Sequence, residues 1–196
     1  MDEISIYKEM SRMTVEEIFS EISQQQIKGI MFHSDMVRYY DFLGLKGYAK
    51  CHKHHYFKEM KANMKLEEYY IRHFNKLLPE ARFEATSPIP KNWHNYERQD
   101  VDANTKHSAV KEGLEKWVAW ERSTKSLYER MYTELTGKGE VAARKIVEDL
   151  ICDVSEELET AEQYHLNKKA IDYDIVSIIE EQNAIHDKYG CKMRKK

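Results

Sequence analysis

The chain has 196 residues, 41% hydrophobic and 33% charged, with seven glycines and three prolines; that is too little turn chemistry for a sandwich or barrel and favours one helical domain spanning 1–196. Its 31 basic and 34 acidic side chains leave a net charge of −3, so nucleic acid is not an expected partner, the basic tail KMRKK excepted. No uninterrupted apolar run is long enough for a membrane span, and the acidic start MDEISIYKEM lacks a signal-peptide layout, so no membrane partner and a cytoplasmic location are expected.

Thr14 and Glu17 form a capping-box pattern, after which Phe19, Ile22, Gln26, Gly29, His33, Met36 and Tyr40 recur at steps of three and four. This spacing predicts helix A over about 14–42. Gly44 and Gly47 then supply a tight reversal, which sets the next helix antiparallel. Helix B is expected over about 48–78, with Glu59, Ala62, Leu66, Tyr70 and Phe74 along one face and Pro79 as its stop. Residues 79–105 hold all three prolines and no helical or alternating period. A structureless stretch of that length needs a task, and carrying the chain back along a whole bundle is one, which would make helices B and C parallel.

Helix C is expected over about 106–136, with Leu114, Trp117, Glu121, Thr124, Tyr128, Met131 and Leu135 as its stripe and Gly113 as a tolerated interruption. Helix D follows Gly137 and Gly139, over about 140–168. One of its rows is Ala143, Ile146, Leu150, Asp153 and Glu157, and the neighbouring row is Val147, Ile151, Val154, Leu158 and Ala161. A shorter fifth helix is expected over about 171–188, with Gly190 as its stop. Cys51, Cys152 and Cys191 are far apart and share no CxxC spacing, so reduced thiols are expected.

Several stripes carry polar residues that would be costly if buried alone: Gln26 and His33 on A, Glu59 on B, Glu121 on C, Asp153 and Glu157 on D. Carboxylates that meet in one interior repel each other, and a bound cation relieves that repulsion. The plainer reading turns such acids to the flank of the helix, makes His33 a hydrogen-bonded core histidine, and makes His52, His54 and His55 a solvated cap at the start of B, because consecutive residues face different ways.

The layout resembles the ferritin-like superfamily, and the local text adds detail. Residues 40–66, YDFLGLKGYAKCHKHHYFKEMKANMKL, resemble the passage from the end of helix A through a Gly-aromatic-Ala turn into the metal-binding segment of helix B, with Glu59 at the bridging glutamate. In WVAWERSTKSLYERMYTEL, Glu121 takes the place of the helix C glutamate; in ARKIVEDLICDVSEELE, Asp153 matches the first helix D acid, and Glu156 or Glu157 the later ones. The family's helix A glutamate falls on Gln26, and the histidine of its Glu-x-x-His motif on Ala62, so one half of a di-iron site is disabled.

The resemblance implies an all-α, up-down four-helix bundle with a long B–C crossover and a short fifth helix. It also implies a metal set drawn from Gln26, Glu59, Glu121, Asp153, Glu156 and Glu157, with iron as the ion and manganese or zinc as the other candidates. The function it implies is iron storage in a homo-oligomer, with weak ferroxidase activity at a partial carboxylate site, and His33 or His55 could serve only a displaced site. The alternative is a metal-free scaffold acting as a structural or interaction protein.

Overall fold

Thr14 starts the first helix in the way its spacing predicts: its hydroxyl accepts the Glu17 backbone N–H at 3.1 Å, and the Glu17 carboxylate accepts the Thr14 N–H at 2.7 Å. The computed structural model describes residues 13–80, 87–89, 97 and 101–193, with side chains in the last helix described as far as Tyr189. The acidic start, most of the loop 79–105 and the end of the basic tail lie outside the described residues.

Five helices follow one another: α1 (Val15–Phe42), α2 (Lys46–Phe74), α3 (Ala103–Gly137), α4 (Val141–Ala170) and α5 (Ile175–Met193). Two ends depart from expectation. α2 stops at Phe74, before Pro79, because Asn75 takes the left-handed conformation (φ 52°) and its N–H closes on the Ile71 carbonyl at 2.9 Å. α5 begins later than predicted and runs past Gly190. α3 starts where the Asp102 carboxylate accepts the Thr105 N–H at 2.7 Å.

Packing fixes the direction of each helix. One apolar cluster joins Ile18, Phe19 and Ile22 at the start of α1 to Leu66 and Tyr70 late in α2, Tyr128, Met131 and Leu135 late in α3, and Ala143 and Val147 early in α4. The other joins Met36 and Tyr40 late in α1, Tyr48 early in α2, Val110, Leu114 and Trp117 early in α3, Ala161 late in α4, and Ile178 and Ile185 of α5. So α2 and α3 run parallel to each other and opposite to α1 and α4, and the connection between α2 and α3 spans the bundle, as the long loop implies. A layer of buried polar side chains separates the two clusters.

α5 lies over the start of α2. Gly47 is already inside α2, and a Cβ there would stand 1.8 Å from the Gln182 backbone oxygen, so the close contact depends on glycine. The Tyr48 hydroxyl donates to the Glu181 carboxylate, and Lys168 at the end of α4 reaches Glu181 at 3.3 Å and the Ser177 carbonyl at 3.0 Å.

Gly113 is more than a tolerated interruption. A Cβ at this position would meet the Tyr40 hydroxyl at 2.3 Å, and Tyr40 is fully buried. Gly113→Ala gains about 1 kcal/mol of helix propensity but overpacks the core by about 1–3 kcal/mol, so a net loss of roughly 1 kcal/mol is expected in urea denaturation. A stabilised variant would mean that Tyr40 moves aside freely.

Candidate metal centre

The polar layer is built from residues that return to the same helix face every three, four or seven positions. α1 supplies Gln26 and His33, two turns apart. α2 supplies His52, His55 and Glu59; α3 supplies Trp117 and Glu121; α4 supplies Glu157. His33, His52, Trp117 and Glu121 are wholly shielded from solvent, and His55 and Glu157 nearly so.

His33, Glu121 and Glu157 converge: each offers a ligand atom within 4.8 Å of those of the other two. His33 Nε2 stands 3.5 Å from Glu121 Oε1, which also accepts the Trp117 indole N–H at 2.9 Å. On its other side His33 Nδ1 lies 2.9 Å from His52 Nδ1, so one of these two nitrogens carries the shared proton. When His33 is the donor, its Nε2 presents a bare lone pair toward the carboxylates. The layer is also a stack of rings, with His33 against His55 at 5.4 Å and Tyr40 against His52 at 5.4 Å.

Two cations of α2 hold Glu157. His55 Nδ1 is 2.9 Å from Oε2, and Lys58 Nζ is 2.8 Å from Oε1. Burial alone would raise the Glu157 carboxyl, yet His55 and Lys58 bring it down to about 2. Burial likewise opposes charge on His55, but Glu157 keeps the imidazole protonated well above its ordinary range. Burial drives His52 well below that range, helped by His33 and His55, so it is neutral. Burial drives the Glu59 carboxyl well above the usual carboxylate range, reinforced by Glu157 and Glu121.

Of the residues that the sequence singled out, Glu121 and Glu157 come together, joined by His33. Glu59 is half-buried beside them and lies against Gly29, where a Cβ would stand 3.1 Å from Glu59 Oε1. Gln26 is buried, with neither amide atom hydrogen-bonded. Asp153 has a side chain 58% exposed and touches only the fringe of the layer, 3.9 Å from Lys58 Nζ, while Glu156 faces solvent.

The expectation of a solvated histidine cap is overturned. His52 and His55 are core residues, and half-buried His54 packs against the Tyr189 ring. The reason is that both lie on the inward face of α2, His52 against Phe32, Tyr40 and Trp117, and His55 against His33, Trp117 and Glu157. The signal was present: extending the stripe of Glu59, Ala62, Leu66 and Tyr70 backward by four and then three residues reaches His55 and His52.

The donor chemistry fits one divalent ion. His33 Nε2 and Glu121 Oε2 are buried without a hydrogen-bond partner, an arrangement that costs about 1–3 kcal/mol per group and that coordination would relieve. One imidazole and two carboxylates suit iron, manganese or zinc. Among the described residues no helix is long and apolar enough to cross a membrane.

No family model matches the chain, and no curated protein matches it. Solved structures do. An open-pore ferritin from the hyperthermophilic archaeon Archaeoglobus fulgidus aligns with 14% identity and a TM-score of 0.70 over 87% of this chain and 94% of that one. A second structure of that ferritin gives 13% identity and 0.71, over 90% and 97%, and a humanised archaeal ferritin gives 13% and 0.68, over 91% and 95%. The chain therefore has the ferritin-like fold, an all-α up-down bundle with a long crossover and a fifth helix. Within that fold it carries a partial cluster of histidine and glutamate able to coordinate a metal ion.

Proposed function

We propose that the protein binds one divalent ion, iron in the first instance, through His33, Glu121 and Glu157, and that it holds iron and oxidises it slowly. The observation that carries this reading is the convergence of three buried donors from three helices, with His33 Nε2 and Glu121 Oε2 lacking a hydrogen-bond partner. Buried anionic oxygens stabilise the more highly charged state of an ion held between them, which favours the ferric form once oxygen has taken an electron. A single centre gives up one electron at a time, so the rate is expected to be low. Glu59 and Tyr128 lie beside the cluster rather than complete it. Storage in a cytoplasmic homo-oligomer, the arrangement that the resemblance implies, belongs to the same reading.

Titration of the purified chain with Fe(II) under anaerobic conditions is expected to saturate at one ion per chain. His33→Ala and Glu121→Gln should each weaken binding by at least about 100-fold, since even outer-shell changes cost 10- to 100-fold. Aerobic oxidation should fall with them, while circular dichroism shows both variants folded. Unchanged affinity in both variants would reject the site.

The pairing of Glu157 with His55 and Lys58 supports a second reading, in which the interior is already neutralised and the bundle is a metal-free scaffold. Failure of the parent chain to bind Fe(II), Mn(II) or Zn(II) would select it.

A further inference from the structure

The polar layer continues beyond the three converging donors. Between α2, α3 and α4 lies a cavity of about 20 Å³, lined by Lys58, Glu59, Tyr128, Asp153, Glu157 and apolar neighbours that include Ala62. About one water-sized sphere fits in such a volume. Three of its lining residues are acids, and the Tyr128 hydroxyl, on a side chain all but fully buried, has no hydrogen-bond partner. These walls suit a small cation.

A cation is already there. Lys58 reaches across from α2 so that its Nζ lies 2.8 Å from Glu157 Oε1 and 3.9 Å from Asp153 Oδ1. Its side chain is 31% exposed, so it reaches these acids at the solvent edge of the bundle. An ammonium is a compact point charge with three donors. It occupies the oxygen of Glu157 that a second ion would need, and a like charge a few ångströms away opposes entry of another cation.

We propose that Lys58 is a tethered cation that fills the second position of the centre and limits it to one metal ion per chain. The inference rests on the metal-binding reading and adds a cause for its stoichiometry. Without the lysine, Glu59, Asp153 and Glu157 would line a site open to a second divalent ion, with Glu157 shared between the two. Lys58→Arg keeps the charge, and Lys58→Leu removes it while keeping an apolar stem.

The test is Co(II) titration followed by visible absorption and calorimetry on the intact chain, with thermal melts to show that each protein is folded. The expected stoichiometries are one Co(II) for the parent, one for Lys58→Arg and two for Lys58→Leu. One ion in both parent and Lys58→Leu overturns the role of Lys58 and leaves the metal reading standing. Two ions in the parent, or two in Lys58→Arg, also overturn it. No binding by any of the three removes the metal reading, and this inference goes with it.

Discussion

Glu157→Ala is expected to lower the folding free energy by about 3–5 kcal/mol, the range seen when one partner of a buried ion pair is removed. The loss arises less from the missing contact than from what it strands. His55, almost wholly buried, would be left with an imidazolium whose counter-ion at 2.9 Å has gone, and it would have to give up its proton or admit water. Urea denaturation at constant pH measures the change. A double-mutant cycle with His55→Ala separates coupling from packing, and the second substitution should cost little once Glu157 is absent. A loss below about 1 kcal/mol for Glu157→Ala would mean that the ion pair contributes almost nothing.

The four groups of the polar layer with displaced titrations should also shape stability against pH. Glu157, at about 2 in the fold against an ordinary 4.5, contributes stability that is complete above 4.5 and lost as pH falls toward 2. His52 acts in the same sense, because below 6.5 the unfolded chain takes up a proton that the folded one refuses. His55 keeps its proton in the fold, so its contribution is complete below 6.5 and fades as pH rises beyond that. Glu59 also keeps its proton, and its contribution is complete below 4.5 and fades above.

Between 4.5 and 6.5 the contributions of His52 and Glu59 change with pH in opposite senses. The expected profile is a broad maximum across that window, falling on both sides by about 1.4 kcal/mol per pH unit for each proton that differs. Melting temperatures measured from pH 3 to 9 give the profile. Glu59→Gln should tilt the plateau, so that stability climbs from 4.5 to 6.5, and should make the alkaline descent shallower. A variant profile parallel to the parent's would show that Glu59 ionises as an ordinary carboxyl.

Much of the bundle could be read from spacing alone, because long helices repeat their inward positions many times. What spacing left open was rotation about each axis. On α4 the buried line is Ala143, Val147, Leu150, Val154, Glu157 and Ala161, which draws alternately on the two rows seen in the sequence. The true core line runs between those rows, so Glu157 turns inward while Asp153, four residues earlier, falls at the solvent edge. Two adjacent apolar rows make either rotation plausible, and only packing against α2 and α3 decides between them.

His52 and His55 were missed for a different reason. The run of three neighbouring histidines reads as a polar start of the helix, although two of its members continue the inward stripe of α2 backward. The end of α2 was misjudged because a proline is a conspicuous stop, whereas Asn75 stops the helix earlier through its backbone conformation. On α1 the cluster draws on His33, two turns from Gln26, where the resemblance places the family's glutamate.

The band of histidines and acids across the middle of the bundle has a consequence for alignment. Rods with purely oily seams can slide past one another by one turn, about 5.4 Å, and find nearly equivalent contacts. Here such a slip would part His33 from Glu121 and His55 from Glu157, each stripped of its complement. The layer thus acts as a key cut at one height, allowing a single vertical setting of four long helices whether or not an ion is held there.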